Sequence, residues 1–353
     1  MILHNYSSLT GGDRMASSHI RKVQLTGGST FVVSLPKSWV KSVGLSPGDS
    51  VEISVQPDLS LLVTHGKTSK REPAEVTIDV STAELKEDAV REFIACYLAG
   101  YDIIHVKFGR PTIEYRSYLK DVMRRKLIGV EVMEESAYRL DAQCLLGYVE
   151  FPISSALSRM YVMSLSMYKD AIESLRRLDF SLAEDVTQRD DEVDRLYFFI
   201  VRQLKKAVRN AAMIREIGLS SARDCLGYRL IAKSMERIAD HAARIAKIVP
   251  TLENLSNGDV VNVITEMSSI SMESYKRSMS SLFKLDVKRA NQAIKMVSDV
   301  VQKEEEAINL ILQANLDLRT VIGLRLIIES IRRIAEYGTD IAEIVINLSI
   351  KQA

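Results

Sequence analysis

Apolar positions three and four residues apart dominate the second half of the chain. From Cys225 to Val249, Ile231, Met235, Ile238, Ala242, Ile245 and Val249 draw one stripe at helical spacing. From Val321 to Val345, Ile327, Ile331, Ile334, Gly338, Ile341 and Val345 draw it again. The two stretches align without a gap and agree at about half of 25 positions, including Gly227/Gly323, Arg229/Arg325, Ser234/Ser330 and Arg237/Arg333. The repeat extends upstream, where Tyr168-Lys169, Leu175, Leu178-Asp179 and Ala183 recur as Tyr275-Lys276, Leu282, Leu285-Asp286 and Ala290. Such a repeat means two copies of one structural unit. Each copy predicts three helices, over 154–180, 182–212 and 221–249, then over 262–286, 288–315 and 318–350. Ser220 and Ser221 are expected to cap the third helix, and Pro250 and Asn257-Gly258 to close the first copy.

The pattern upstream is different. Residues 19–66 alternate in short runs: Ile20, Val23 and Leu25, then Phe31, Val32, Val33 and Leu35, then Val51, Ile53 and Val55, then Leu61, Leu62 and Val63. These predict strands around a short helix after Pro36. The segment holds too little apolar surface to bury a core alone, so it is expected to dimerise or to lean on a neighbour. Residues 75–150 read as α+β, with strands at Val76–Val80, 101–108, 130–133 and 138–146 and helices over 85–99 and 112–127. Residues 1–18 are polar without a period and are expected to be a disordered tail; 67–74 form a charged linker. The fold class expected is therefore multidomain: a small β-rich N-terminal domain, an α+β middle domain, and an all-α pair of three-helix bundles over 151–255 and 260–353.

Composition narrows the function. With 47 Lys+Arg against 46 Asp+Glu the whole chain of 353 residues is near neutral, yet 14–71 is locally basic. Cys96, Cys144 and Cys225 have no metal spacing and read as buried thiols in a reducing compartment. No uncharged apolar run reaches membrane-spanning length and no signal pattern opens the chain, so a cytoplasmic protein without membrane insertion is expected. There is no Gly-rich phosphate loop, no Ser/His/Asp pattern and no nucleophile signature, so no enzyme is expected. Arg124-Arg125-Lys126 reads as a solvated basic helix end, and His105 as a packed or rim histidine.

The candidate chemistry lies in acids one turn apart: Asp190 and Asp194 on the second helix, Glu236 and Asp240 on the third, with His241 adjacent. Such pairs point the same way and repel unless they are solvated, paired with Arg237 or Arg244, or bridged by a cation. Acid-x-x-x-acid on one helix and Glu-Arg-Ile-Ala-Asp-His on the next, in two three-helix copies, resembles the PhoU family of phosphate-uptake regulators, in its archaeal type. That resemblance implies that Asp190, Asp194, Glu236 and Asp240 hold a divalent or ferric metal ion. In the second copy it offers Glu305, Glu336 and Asp340, but Asn309 and Arg332 replace two acids and weaken the site.

Arg21-Lys22, Ser34-Leu-Pro-Lys37, Trp39 and Gly44-Leu45-x-x-Gly48-Asp49-x-Val51 resemble the AbrB/SpoVT swapped-hairpin DNA-binding domain. That resemblance implies a homodimer or higher homo-oligomer that presents Arg21, Lys22, Lys37 and Lys41 to DNA. Together the two resemblances imply a DNA-binding regulator of phosphate homeostasis with a metal-binding sensor region. The alternative is an interaction protein that docks on a phosphate ABC-transporter ATPase and uses its N-terminal domain only to dimerise.

Overall fold

A computed structural model describes residues 18–55, 59–65, 73–145, 152–208, 211–252, 255 and 258–350. The expected tail lies outside these residues except for Ser18, and so does the linker except for Pro73 and Ala74. The chain divides into two compact units, 1–72 and 73–353.

The first unit consists of two hairpins and a one-and-a-half-turn helix. Strands β1 (Gln24–Thr26) and β2 (Thr30–Val32) pair antiparallel through a turn at Gly27-Gly28, with Leu25 opposite Phe31. Helix α1 (Lys37–Ser42) begins directly after Pro36, whose fixed φ of −62° suits a helix start. Strands β3 (Val51–Val55) and β4 (Leu61–His65) form the second hairpin, with Ile53 opposite Val63. None of the unit's described residues is buried. Ile20, Val23, Phe31, Ile53, Val55 and Leu61 are all exposed. Two-stranded hairpins without a covered face are marginal in water.

The second unit opens with an α/β layer. Strands β5 (Glu75–Asp79) and β6 (Ile103–Lys107) are parallel and joined through α2 (Lys86–Ala99). After α3 (Tyr115–Lys126), β7 (Val130–Glu135) and β8 (Arg139–Cys144) complete a sheet of order β5-β6-β8-β7. Ile78, Ile104, Val106 and Leu140 alternate onto the face that α2 and α3 cover with Phe93, Tyr97, Leu119 and Met123. Helices α2 and α3 also pack on α5 (Phe180–Ala207), so layer and bundle share one unit. Arg202 of α5 is buried, donating to the Tyr97 carbonyl at 2.6 Å and to Asp102 at 3.2 Å, and Lys206 reaches Asp102 at 2.6 Å. On the sheet, His105 Nδ1 lies 2.8 Å from Asp141, which fits the packed-histidine reading.

The first helical lobe is α4 (Ile153–Arg177), α5 (Phe180–Ala207), the short α6 (Ala211–Glu216) and α7 (Asp224–Ile248). The second is α8 (Gly258–Leu282), α9 (Val287–Lys295), α10 (Val297–Gln313) and α11 (Leu318–Ser349). A shared apolar core runs through both lobes, from Leu157 and Met160 through Ile238 to Ile334 and Val345. The starts of α7 and α11 lie against each other's ends. A Cβ on Gly227 would meet Leu348 at 2.9 Å, and one on Gly323 would meet Leu252 at 2.8 Å. The glycines therefore permit the close crossing of the two repeat helices.

Both lobes turn their first corner in the same way. Leu178 and Leu285 sit in the left-handed region at φ 52° and 49°. Each is followed by an aspartate, Asp179 or Asp286, that caps the next helix by accepting from the Leu182 or Arg289 amide at 3.0 Å.

Three helix boundaries differ from the periodicity. The helix expected over 182–212 ends at Ala207, and α6 follows as a separate element. Helix α7 starts at Asp224 rather than at 221, yet Ser221 does serve its start: Ser221 Oγ accepts the Asp224 amide at 3.3 Å, while the Asp224 carboxylate accepts the Ser220 and Ser221 amides at 3.0 Å. The helix expected over 288–315 breaks at Met296. There the Ala293 carbonyl is taken by Ser274 Oγ at 3.0 Å and by the Met296 amide at 3.2 Å, and Ser298 Oγ takes the Lys295 carbonyl at 2.8 Å. Hydroxyls that draw carbonyls out of the ladder break it without a proline.

Candidate functional site

Helices α5 and α7 pack side by side, and each turns one acid pair towards the seam. Oxygens of Asp194, Glu236 and Asp240 lie within 4.8 Å of one another. Asp190, the fourth acid expected there, stands outside this trio, although its charge still acts on Asp240. Burial pushes the Asp190 carboxyl up to about 6, with the charge of Asp194 adding to the rise. Burial raises Glu236 as well; its bond to Lys233 opposes the shift and Asp240 reinforces it. Asp240 is raised by burial and then by Asp190 and Asp194. The seam is thus crowded with negative charge that its solvation does not relieve.

Its cations come from three places. Lys233 reaches both Glu236 oxygens at 2.5 and 2.6 Å. Arg237 lies 3.3 Å from Asp240. Lys126, at the end of α3, lies 2.8 Å from Asp194 and 3.3 Å from Asp191, and Arg125 lies 3.4 Å from Asp191. The basic end of α3 is therefore not simply solvated, because two of its three charges dock on α5. His241 stands beside the seam but turns towards Tyr337 of α11, ring centroids 5.9 Å apart. Burial and the charge of Arg244 push its imidazole down to about 4.

The second lobe is built differently. Glu304, not Glu305, faces α11; it is 4% exposed, while Glu305 and Asn309 face solvent. One residue along a helix is a rotation of about 100°, enough to carry Glu305 off the face that Glu304 buries. Arg325 at 3.3 Å and Arg332 at 3.0 Å hold the Glu304 carboxylate. Arg332 also bonds Glu336 at 3.0 Å, Arg333 bonds Glu336 at 2.5 Å, and Asp340 is exposed. The weaker acids read from the sequence, Glu305, Glu336 and Asp340, are thus not brought together, and arginines fill the seam.

The expected DNA-contacting residues fall in two places of the first unit. Arg21 and Lys22 are exposed just ahead of β1. Lys37 and Lys41 are exposed one turn apart on α1.

Residues 157–249 and 264–345 each match the family described as the PhoU domain. The two helical lobes are PhoU domains. Residues 24–71 match the family described as antidote-toxin recognition MazE, bacterial antitoxin, so the first unit is MazE/AbrB-like. A Clostridium acetobutylicum protein described as a phosphate-specific transport system accessory protein PhoU homolog is 24% identical over 200 residues, which span 56% of this chain and 90% of the relative. A Deinococcus radiodurans protein of the same description is 31% identical over 138 residues, 37% of this chain and 55% of the relative. The crystal structure of PhoU from Pseudomonas aeruginosa superposes with a TM-score of 0.48 at 20% identity, covering 56% of this chain and 94% of that one. The acid trio lies in the first PhoU domain and the arginine-filled seam in the second. Neither family match reaches the α/β layer that carries Lys126.

The trio fits a hard cation. Three carboxylates from two helices converge, and burial leaves Glu236 and Asp240 poorly tolerant of their charge; all-oxygen donor sets suit Mg, Ca, Mn or iron rather than thiolate-seeking metals.

Proposed function

We infer that the chain regulates phosphate uptake in the cytoplasm: its tandem PhoU domains act as a metal-binding sensor and its MazE/AbrB-like unit as a dimeric DNA-binding module. The observation that carries this reading is the pair of PhoU-domain matches, together with a similar protein named as an accessory protein of phosphate-specific transport. Asp194, Glu236 and Asp240 would hold the ion, with Asp190 one turn away; the bound ion supplies positive charge to a seam whose own acids repel. The uncovered apolar residues of the first unit call for a second copy of the chain. Metal, phosphate or a transporter component that favours one arrangement of the bundles would then shift how the dimer presents Arg21, Lys22, Lys37 and Lys41. Among the described residues no helix is long and apolar enough to cross a membrane.

Duplex-DNA retention measured over a salt series tests the DNA part. Replacing Arg21, Lys22 and Lys37 together by Ala should weaken retention and lower the salt slope by about one unit for each phosphate that the variant no longer neutralises. Equal binding by parent and triple variant at low salt would refute it.

A second reading has its own support. The same exposed apolar residues suffice for a unit that only dimerises, while the PhoU domains dock on a phosphate-transporter ATPase. Weak, salt-insensitive DNA retention would favour that reading.

A further inference from the structure

The ion pairs of the first PhoU domain have different origins. Glu236 and Asp240 are paired from their own helix, by Lys233 and Arg237. Asp194 is paired from another layer of the molecule, by Lys126 at the last position of α3. Cations at a helix end ordinarily serve their own helix dipole. Lys126 instead spans to α5, where Asp194 and Asp191 hold its ammonium at 2.8 and 3.3 Å. Asp194 also belongs to the trio whose oxygens converge within 4.8 Å. One carboxylate therefore serves both the attachment of the α/β layer and the candidate ion site.

We propose that Lys126 is a displaceable counter-ion of this seam: a divalent cation that takes Asp194 drives the ammonium away, and the end of α3 loses that tie to α5. The inference rests on the metal reading given above. An ammonium and a divalent ion on the same carboxylate repel strongly at such short range. Lysine can yield, being a compact charge on a flexible four-carbon stem, here 31% exposed. The second PhoU domain shows the opposite arrangement. There Arg332 bridges Glu304 and Glu336 with a planar fork, and Arg325 secures Glu304 from the same helix. A bridging guanidinium gives up its place far less easily than one lysine does. The layer has another attachment, from Arg202 and Lys206 to Asp102, roughly two to three turns further along α5. Displacement of Lys126 therefore loosens one end of the α/β layer, where Arg125 on Asp191 at 3.4 Å is the ion pair that remains, while the other end stays docked. Linkage is reciprocal, so the ion pair that holds α3 down weakens ion binding by the same factor.

Titration of the full-length protein with Mn2+ alone, in the parent, Lys126→Met and Lys126→Arg, tests the proposal. Lys126→Met should bind Mn2+ on the order of tenfold more tightly than the parent, because the competing charge is gone. Lys126→Arg, which keeps the charge, should bind no more tightly than the parent and shows that the position tolerates change. Amide hydrogen exchange gives a second readout. Mn2+ should speed exchange over residues 120–127 in the parent and leave it unchanged in Lys126→Met, where the pair that the ion would break is already gone. Equal Mn2+ affinity in parent and Lys126→Met, or Mn2+ binding without any change over 120–127, overturns the displacement while the metal reading stands. Failure of all three proteins to bind Mn2+ overturns the metal reading, and the displacement with it.

Discussion

Asp102 accepts hydrogen bonds from Lys206 at 2.6 Å, Arg202 at 3.2 Å and the Ala74 amide at 3.1 Å. Burial would raise its pKa, but these bonds and charges outweigh burial and hold the carboxyl below its ordinary value. A carboxylate lowered on folding adds stability in full at neutral pH and loses it as pH falls below about 4, through the folded value. Asp102→Asn should therefore cost about 1 kcal/mol at pH 7, after allowance for solvent screening, and the gap to the parent should narrow at about pH 3. Thermal melts at the two pH values check this, and an equal gap at both contradicts it. Glu304 offers a contrast at a buried position. Glu304→Ala leaves Arg325 and Arg332 facing each other without their carboxylate and should cost about 1–3 kcal/mol. Glu305→Ala, one residue away on the solvent side, should stay within about 0.5 kcal/mol of the parent when both variants are unfolded in urea. Similar losses in the two variants would mean that α10 is rotated about its axis, with Glu305 turned inwards.

At the scale of the element, helical spacing determines which residues turn inwards but not how closely two helices approach. Gly227 and Gly323 sit where α7 and α11 nearly touch, whereas a Cβ on Gly338 would meet Tyr275 only at an ordinary 3.5 Å. Gly338→Ala should thus stabilise the protein by about 0.5–1 kcal/mol through helix propensity. Gly227→Val should destabilise it by about 1–3 kcal/mol through overpacking. Differential scanning calorimetry of the two variants decides, and a stabilised Gly227→Val would mean that the crossing leaves room for a side chain. The same distinction explains what the sequence made legible. Period and repeat were enough to place α4, α5, α7, α8 and α11, because each carries an unbroken stripe. The convergence of Asp194 with Glu236 and Asp240 followed once α5 and α7 were neighbours. The break at Met296 was not legible, since it depends on Ser274 arriving from another helix. Nor was the docking of Lys126: a basic helix end has the same sequence whether water or an aspartate lies beyond it. The one-residue difference between Glu304 and Glu305 was hidden because runs of glutamate carry no phase of their own.

For the whole molecule, the first unit is the part that does not bury itself. Phe31 is 76% exposed and Val33 53%. The full-length chain should sediment as a dimer or larger, and Phe31→Asp with Val33→Asp should shift it towards monomer, because charge on the face awaiting the second copy disfavours closure. Unchanged sedimentation of the double variant would place the interface elsewhere. The second unit also carries a record of how the chain came about. A left-handed leucine costs on the order of 1 kcal/mol over a residue in an ordinary conformation, and a glycine would avoid most of that cost. Yet both lobes keep leucine there, at φ 52° and 49°, each ahead of a capping aspartate. One inheritance explains this unfavourable corner more simply than two separate arrivals. The seams have since parted, one keeping its carboxylates and the other sealed by arginines. The corner is thus what the two lobes hold in common, and the charge of the seam is where they part.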